Sequence, residues 1–285
     1  MPKRTLPRGS QAAIPVLPVV LTIAGSDSGG GAGIQADLKT LTALGTFGTS
    51  AITCITAQNP NAVTGIEAVS TRLVARQIEA VTTGFPVAAI KTGMMYSAAI
   101  IAIVARALKR LPDVPVVVDP VMVATSGARL LREDAQEALC RRLLPLATVV
   151  TPNLQEAEIL AGHPIRTLDD LVTAAVTISE RYGIACVAKG GHLPGRRVVD
   201  VLAANGRVNL LELPRIKVGQ THGTGCTFSA ALAAGLARGL NLRDAAIAAK
   251  AFVAGALEHA AKAGRHAPLR FMWMNPSPRS RTVHG

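Results

Sequence analysis

The chain has 285 residues, of which 49% are apolar and 3% aromatic, and it carries a formal charge of +12 at neutral pH. That length and apolar content support a sizeable core, and no apolar run reaches the roughly 18 to 20 residues needed to cross a bilayer. The charge invites a nucleic-acid reading, but eight of the basic residues sit at the ends (Lys3, Arg4, Arg8, Lys262, Arg265, Arg270, Arg279 and Arg281), which leaves the body mildly basic, with few rings on which bases could stack.

From the N-terminus, residues 1–17 read as a basic, flexible tail. The opening loosely mimics a secretory signal, yet Pro15 and Pro18 interrupt its apolar stretch, and "VVLTIAG" (19–25) reads better as a first strand. Further short Val- and Ile-rich runs follow at 50–56, 87–92, 114–120, 147–153 and 184–190. They lack polar alternation, as strands covered on both faces should. Helical patterns lie between them at 34–45, 72–85, 98–111 and 169–183. This alternation predicts βαβ units around a mostly parallel sheet with helices on both sides. One stretch, 197–214, breaks it, because two extended runs flank an Asn-Gly pair and predict an antiparallel hairpin at one sheet edge. A last helical pair follows "HGTGC", the first helix ending near Gly239 and the second starting from Asn241 as its cap. One domain over 18–262, ending in a basic tail over 263–285, is the expected organisation.

Parallel sheets bind ligands where strand ends lead into helices. Taken in order, those loops are "GSDSGGGAG", "AQNPNA", "KTGMM", "DPVMVATSG", "TPNLQEAE", "KGGHLPG" and "THGTGC". Polar, charged and glycine residues collect along that one edge. The last loop places glycines and Cys226 before a helix, whose free N–H groups and dipole suit an anion and favour a thiolate. A tight turn with a buried, inert cysteine explains the same residues equally well. No G-x-x-x-x-G-K-[ST] occurs anywhere, and the glycine spacing after the first strand does not suit a dinucleotide fingerprint. The four cysteines, Cys54, Cys140, Cys186 and Cys226, lie at least 40 residues apart, which argues against a structural zinc site or a disulfide framework and fits a reducing cytoplasm.

In this order the seven loop motifs closely resemble the bacterial hydroxymethylpyrimidine/phosphomethylpyrimidine kinases of thiamine biosynthesis, within the ribokinase-like superfamily. The resemblance covers roughly residues 18–262 and implies a three-layer α/β fold. It implies ATP-dependent phosphorylation of 4-amino-5-hydroxymethyl-2-methylpyrimidine and then of its monophosphate. It makes Cys226 the catalytic residue beside Gly223, Thr224 and Gly225. It carries Gly25, Ala32, Asp37, Gln58, Met94 and Val121 onto the pyrimidine pocket, and Lys189, Asn153 and Thr224 onto ATP. Asp119 and Glu156 become carboxylates near Mg²⁺, acting through water, and K⁺ is a further candidate ion. A homodimer is implied, with no nucleic-acid or membrane partner. Read without the resemblance, Asp37 is a solvated helix carboxylate, Met94 and Val121 are core, and Asn153 is a helix cap as readily as a phosphate contact. Two other functions stay open, a pyridoxine, pyridoxal or pyridoxamine kinase and a ligand-sensing module that lost transfer.

Overall fold

The computed structural model describes residues 16–122, 131, 133–216, 222–264 and 266–274. Nine strands form one sheet: β1 (Val19–Asp27), β2 (Phe47–Asn59), β3 (Ala62–Ala68), β4 (Val87–Thr92), β5 (Val116–Val118), β6 (Val149–Val150), β7 (Ala185–Ala188), β8 (Arg197–Ala204) and β9 (Arg207–Pro214). Their spatial order is β3-β2-β1-β4-β5-β6-β7-β8-β9. The six strands from β2 to β7 are parallel, and antiparallel strands close both edges.

Among the described residues, eight α-helices flank the sheet: α1 (Gly33–Ala43), α2 (Thr71–Gly84), α3 (Ala98–Leu108), α4 (Glu133–Ala138), α5 (Leu154–Ala161), α6 (Leu168–Tyr182), α7 (Thr224–Ala237) and α8 (Leu242–Glu258). Alternate strand residues serve opposite faces. Leu21, Ile23, Ile90, Val116, Val118 and Val150 join the core under α2 to α6. Val20, Ala89, Val117, Val149 and Val187 join the one under α1, α7 and α8. Because the central strands β1 and β4 to β7 are buried on both sides, their runs read as continuously apolar rather than alternating. Helix α7 is buried from Thr227 to Gly235, and its small residues let α8 approach until a Cβ on Gly235 would lie 2.9 Å from that of Ala245.

The Asn-Gly hairpin forms as expected, with Asn205 and Gly206 both at positive φ, the geometry of a type I′ turn. Asn241 caps α8 by accepting the Asp244 N–H at 3.0 Å. Two expectations need correction. The "AQNPNA" stretch is not a plain loop: β2 runs on to Asn59, turns over Pro60 and Asn61, and returns as β3. Proline and asparagine mark that turn, but β3 lies at an edge and carries Gly65, so its apolar pattern is too thin to announce a strand. The region expected as a solvated C-terminal tail is also partly packed. Leu269 and Phe271 are buried in the α1/α7/α8 core, and Trp273 stacks on His259 of the α8 C-terminus, with ring centroids 5.5 Å apart. Residues 1–15 and 275–285, which include most of the expected tails, lie outside the described residues.

Candidate active site

The carboxyl ends of the parallel strands are stitched together by backbone hydrogen bonds that continue past the ladders. Gly93 donates to Ile23 O at 2.9 Å, Asp119 to Thr92 O at 3.0 Å, Thr151 to Val118 O at 2.9 Å and Lys189 to Pro152 O at 2.8 Å. The loops that follow therefore start from fixed points.

Two groups of expected residues assemble on this edge. In the first, the chain enters α7 through Gly223, whose φ of +83° is open to glycine at little cost and whose Cβ would lie 1.9 Å from Gly31 O. The turn is thereby pressed against the loop after β1. A Cβ on Gly225 would stand 3.2 Å from Lys189 Nζ, and that ammonium pairs with Asp119 Oδ1 at 3.2 Å. Burial by itself would discharge Lys189, but the charges of Asp119 and Glu156 hold its ammonium above the ordinary range. Ser229 anchors the first turn of α7, donating to Gly225 O at 3.0 Å and sharing a 2.8 Å bond with Thr151 Oγ1.

The state of Cys226 differs from expectation. A helix N-terminus favours a thiolate, yet burial pushes this thiol up to about 12. The Lys91 charge and the Gly33 N–H pull the other way without prevailing, while Asp119 and Asp37 add to the rise.

The second group is apolar. Cys54 and Met94 form a small buried cluster with Val63, Ile66, Tyr96 and Val121 packed against it, separate from the two large cores. Gly25 lies at its centre, since a Cβ there would meet Cys54 Sγ at 2.8 Å and Met94 Sδ at 3.3 Å. Thr53 fixes Met94 by donating to its carbonyl at 2.6 Å. Gln58 stands at the end of β2, half-buried, its Oε1 accepting from Thr56 at 3.1 Å. Cys54, and Val63 and Ile66 of the unforeseen β3, are thus neighbours of the expected ring-covering residues.

Asp37 is not on a pocket surface in this structure. It is fully buried, with Lys91 donating to both oxygens at 2.8 and 2.9 Å and Thr22 donating at 2.6 Å. Burial alone would discharge this pair. Burial raises the Asp37 carboxyl against the pull of Lys91 and Thr22, while the Asp37 carboxylate holds Lys91 above its ordinary range. The signal for Lys91 was present in the sequence, as a lysine inside an otherwise apolar strand needs a buried counter-charge.

Asn153 caps α5. Its side chain accepts the Glu156 N–H at 3.0 Å, and Glu156 Oε2 accepts the Asn153 N–H at 2.9 Å, a reciprocal capping box. Glu156 Oε1 also accepts the Met122 N–H at 3.3 Å. Burial raises the Glu156 carboxyl, and the neighbouring Asp119 charge adds to the rise, against the pull of Lys189 and the amides.

Asp27 organises the first loop, though nothing singled it out in the sequence. Its oxygens accept from the N–H groups of Gly29 (2.8 Å), Gly31 (3.1 Å) and Ala32 (2.8 Å), and His222 Nε2 lies 3.4 Å away. Burial opposes its ionisation, yet the bonds from His222, Ala32 and Gly29 hold its carboxyl below the ordinary value. Ala32 is thereby fixed immediately ahead of α1.

This edge offers a glycine turn at a helix start with a sulfur beside it, a paired lysine, two buried acids and a separate apolar cluster. No described helix is long and apolar enough to cross a membrane, and the described residues contain no cluster of three or more His, Cys, Asp or Glu able to hold a metal by themselves. An ADP complex of Bacillus subtilis pyridoxal kinase matches the fold with a TM-score of 0.83 at 38% identity, covering 91% of this chain and 99% of that one. A phosphomethylpyrimidine kinase structure from Clostridium difficile 630 matches with a TM-score of 0.73 at 40% identity, over 83% and 97%. In sequence, the hydroxymethylpyrimidine/phosphomethylpyrimidine kinase of Rhizobium meliloti is 49% identical over 243 residues, 85% of this chain and 91% of that protein. The family model described as phosphomethylpyrimidine kinase matches residues 27–269, and with that span the chain belongs to the phosphomethylpyrimidine kinase family.

Proposed function

We propose that this protein transfers the γ-phosphoryl group of ATP to the hydroxymethyl oxygen of 4-amino-5-hydroxymethyl-2-methylpyrimidine, and then a second phosphoryl group to the resulting monophosphate. The observation that carries this reading is the meeting of the Gly223–Cys226 turn with Lys189 and Asp119 on the same sheet edge as the Met94/Val121 cluster. In the first step the alcohol oxygen bonds to the γ-phosphorus, the bond from that phosphorus to the β,γ-bridging oxygen breaks, ADP leaves, and the alcohol proton passes to the Cys226 thiolate, which becomes the thiol. Such transfers depend chiefly on in-line placement and on compensating charge. The N–H groups of the turn and the Lys189 ammonium supply that compensation.

Met94 and Val121 would cover the ring, and the Gln58 amide offers one acceptor and one donor to an aminopyrimidine edge. Any side chain at Gly25 would run into Cys54 and Met94, so glycine there lets those two residues close over the first loop. Asp37 acts from behind this surface, keeping Lys91 charged near Cys226. Asp119 and Glu156 suit Mg²⁺, because two buried acids face one lysine and leave surplus negative charge. Bound there, Mg²⁺ would neutralise charge on the phosphate oxygens. Chelation is expected to abolish turnover, with added Mg²⁺ restoring it. Exchanging KCl for NaCl in the same assay tests a K⁺ requirement. Pairing into homodimers is carried over from the family resemblance and is checked by sedimentation. Four free cysteines accord with a reducing cytoplasm.

The pyridoxal reading has its own support, since the Bacillus subtilis pyridoxal kinase fold superposes with the higher TM-score of the two solved structures. One assay separates the readings: ADP release with the free pyrimidine, its monophosphate and pyridoxal offered in parallel. A higher kcat/KM for pyridoxal than for either pyrimidine overturns the substrate assignment.

A further inference from the structure

Lys189 opens the loop between β7 and β8, and three sets of bonds hold that loop. Its own N–H donates to Pro152 O at 2.8 Å. At the far end, the Arg215 guanidinium donates to the carbonyls of Gly191, Leu193 and Gly195. Between them, the Gly190 N–H donates to Asp200 Oδ1 at 2.9 Å, and Gly190 is seated so closely on β8 that a Cβ would lie 1.9 Å from Val199 O. The other oxygen of Asp200 accepts from Lys250 Nζ of α8 at 2.7 Å.

Both members of this pair are buried, Asp200 at 5% exposure and Lys250 at 7%. A buried ion pair is a poor device for stability, because apolar residues of similar volume often do as well or better. This one has a second property. The Asp200 carboxylate is shared between a cation that orients it and the peptide N–H directly after Lys189. Asp200 donates nothing to the pocket; it acts on the peptide that aims the lysine.

We propose that Asp200, oriented by Lys250, is a positioning residue that sets Lys189 for its contact with the nucleotide's phosphates. The inference rests on the ATP role given to Lys189 above. Two double variants separate positioning from stability. D200N/K250M keeps an acceptor for the Gly190 N–H without buried charge, whereas D200V/K250M keeps the volume and removes the acceptor. Thermal unfolding of both is expected to stay near that of the parent. D200V/K250M is expected to weaken binding of a non-hydrolysable ATP analogue, and to raise KM for ATP, roughly tenfold to a hundredfold. Its KM for the acceptor should not change, and D200N/K250M should match the parent.

Parent-like analogue binding by D200V/K250M overturns the proposal, as does a tenfold loss in D200N/K250M. If D200V/K250M does not fold, D200N/K250M decides alone, since its retained acceptor predicts an analogue Kd within about twofold of the parent. Because analogue binding needs no acceptor, failure of the pyrimidine assignment shows separately, as an absence of ADP release with the pyrimidines.

Discussion

Two fields compete at the Cys226 sulfur. The start of α7, the Gly33 N–H and the Lys91 charge favour a thiolate, but desolvation is larger and leaves a thiol whose pKa is about 12. A group whose folded value lies above its unfolded one stays protonated through the neutral range, and it ionises only as pH climbs toward that higher value. If Cys226 accepts the alcohol proton, kcat/KM should rise with pH between about 7 and 9, since only the ionised fraction is active. A flat profile over that range argues against the role. C226A should lower kcat by about 10² to 10⁴, and an unchanged rate would remove Cys226 from the mechanism. Asp37 and Lys91 set the opposite problem, because neither can lose its partner cheaply. D37N should lower stability by about 3 to 5 kcal/mol in urea unfolding, since it strands a buried ammonium. D37N/K91M should recover most of that loss, and equal stability of D37N and the parent would show that the pair is not the coupled unit its geometry indicates.

At the scale of elements, the site is a set of helix starts held at strand ends. Helix α7 begins with Gly223 at a φ of +83°, with its Cα against Gly31 O. G223A meets both a backbone penalty and a clash. It should lower the melting temperature and weaken binding of an ATP analogue, because the turn must move off the first loop; retained affinity would show that the turn does not carry the phosphates. Helix α5 begins at the Asn153 capping box, which fixes Glu156 Oε2 while the Met122 N–H holds Oε1. Removal of that cap in N153A should cost about 1 kcal/mol, read as a lower denaturation midpoint. The motif "TPNLQEAE" made the cap foreseeable from residue types three apart, whereas the Met122 N–H that also meets Glu156 comes from the loop after β5 and left no trace in the local pattern.

Across the whole molecule, one sheet carries two apolar faces, and the C-terminal segment closes over α8 through Phe252, His259 and Trp273. Trp273 is the single tryptophan, so its fluorescence reports that segment. Its thermal transition should coincide with that of far-UV circular dichroism if the segment belongs to the cooperative unit. An earlier fluorescence transition would show it detaching first. The site draws on the ends of β1, β4, β5 and β7 together with α7, so a nucleotide bound there should stabilise the fold as a whole. Saturation at 100 times Kd should add about 2.7 kcal/mol.

The amino-acid sequence alone determined the alternating architecture, the Asn-Gly hairpin, and the edge on which Cys226, Lys189, Asp119, Met94 and Val121 meet. Apolar period, turn residues and glycine-rich lead-ins are local properties, and parallel strands send every following loop to the same side. Only the tertiary structure decided that Asp37 is consumed by Lys91, that Cys226 is a thiol, that β3 pairs at the edge, and that Asp200 reaches Gly190. Each of these depends on distance across the fold or on the depth of burial, and neither quantity is written in the spacing of residues along a chain.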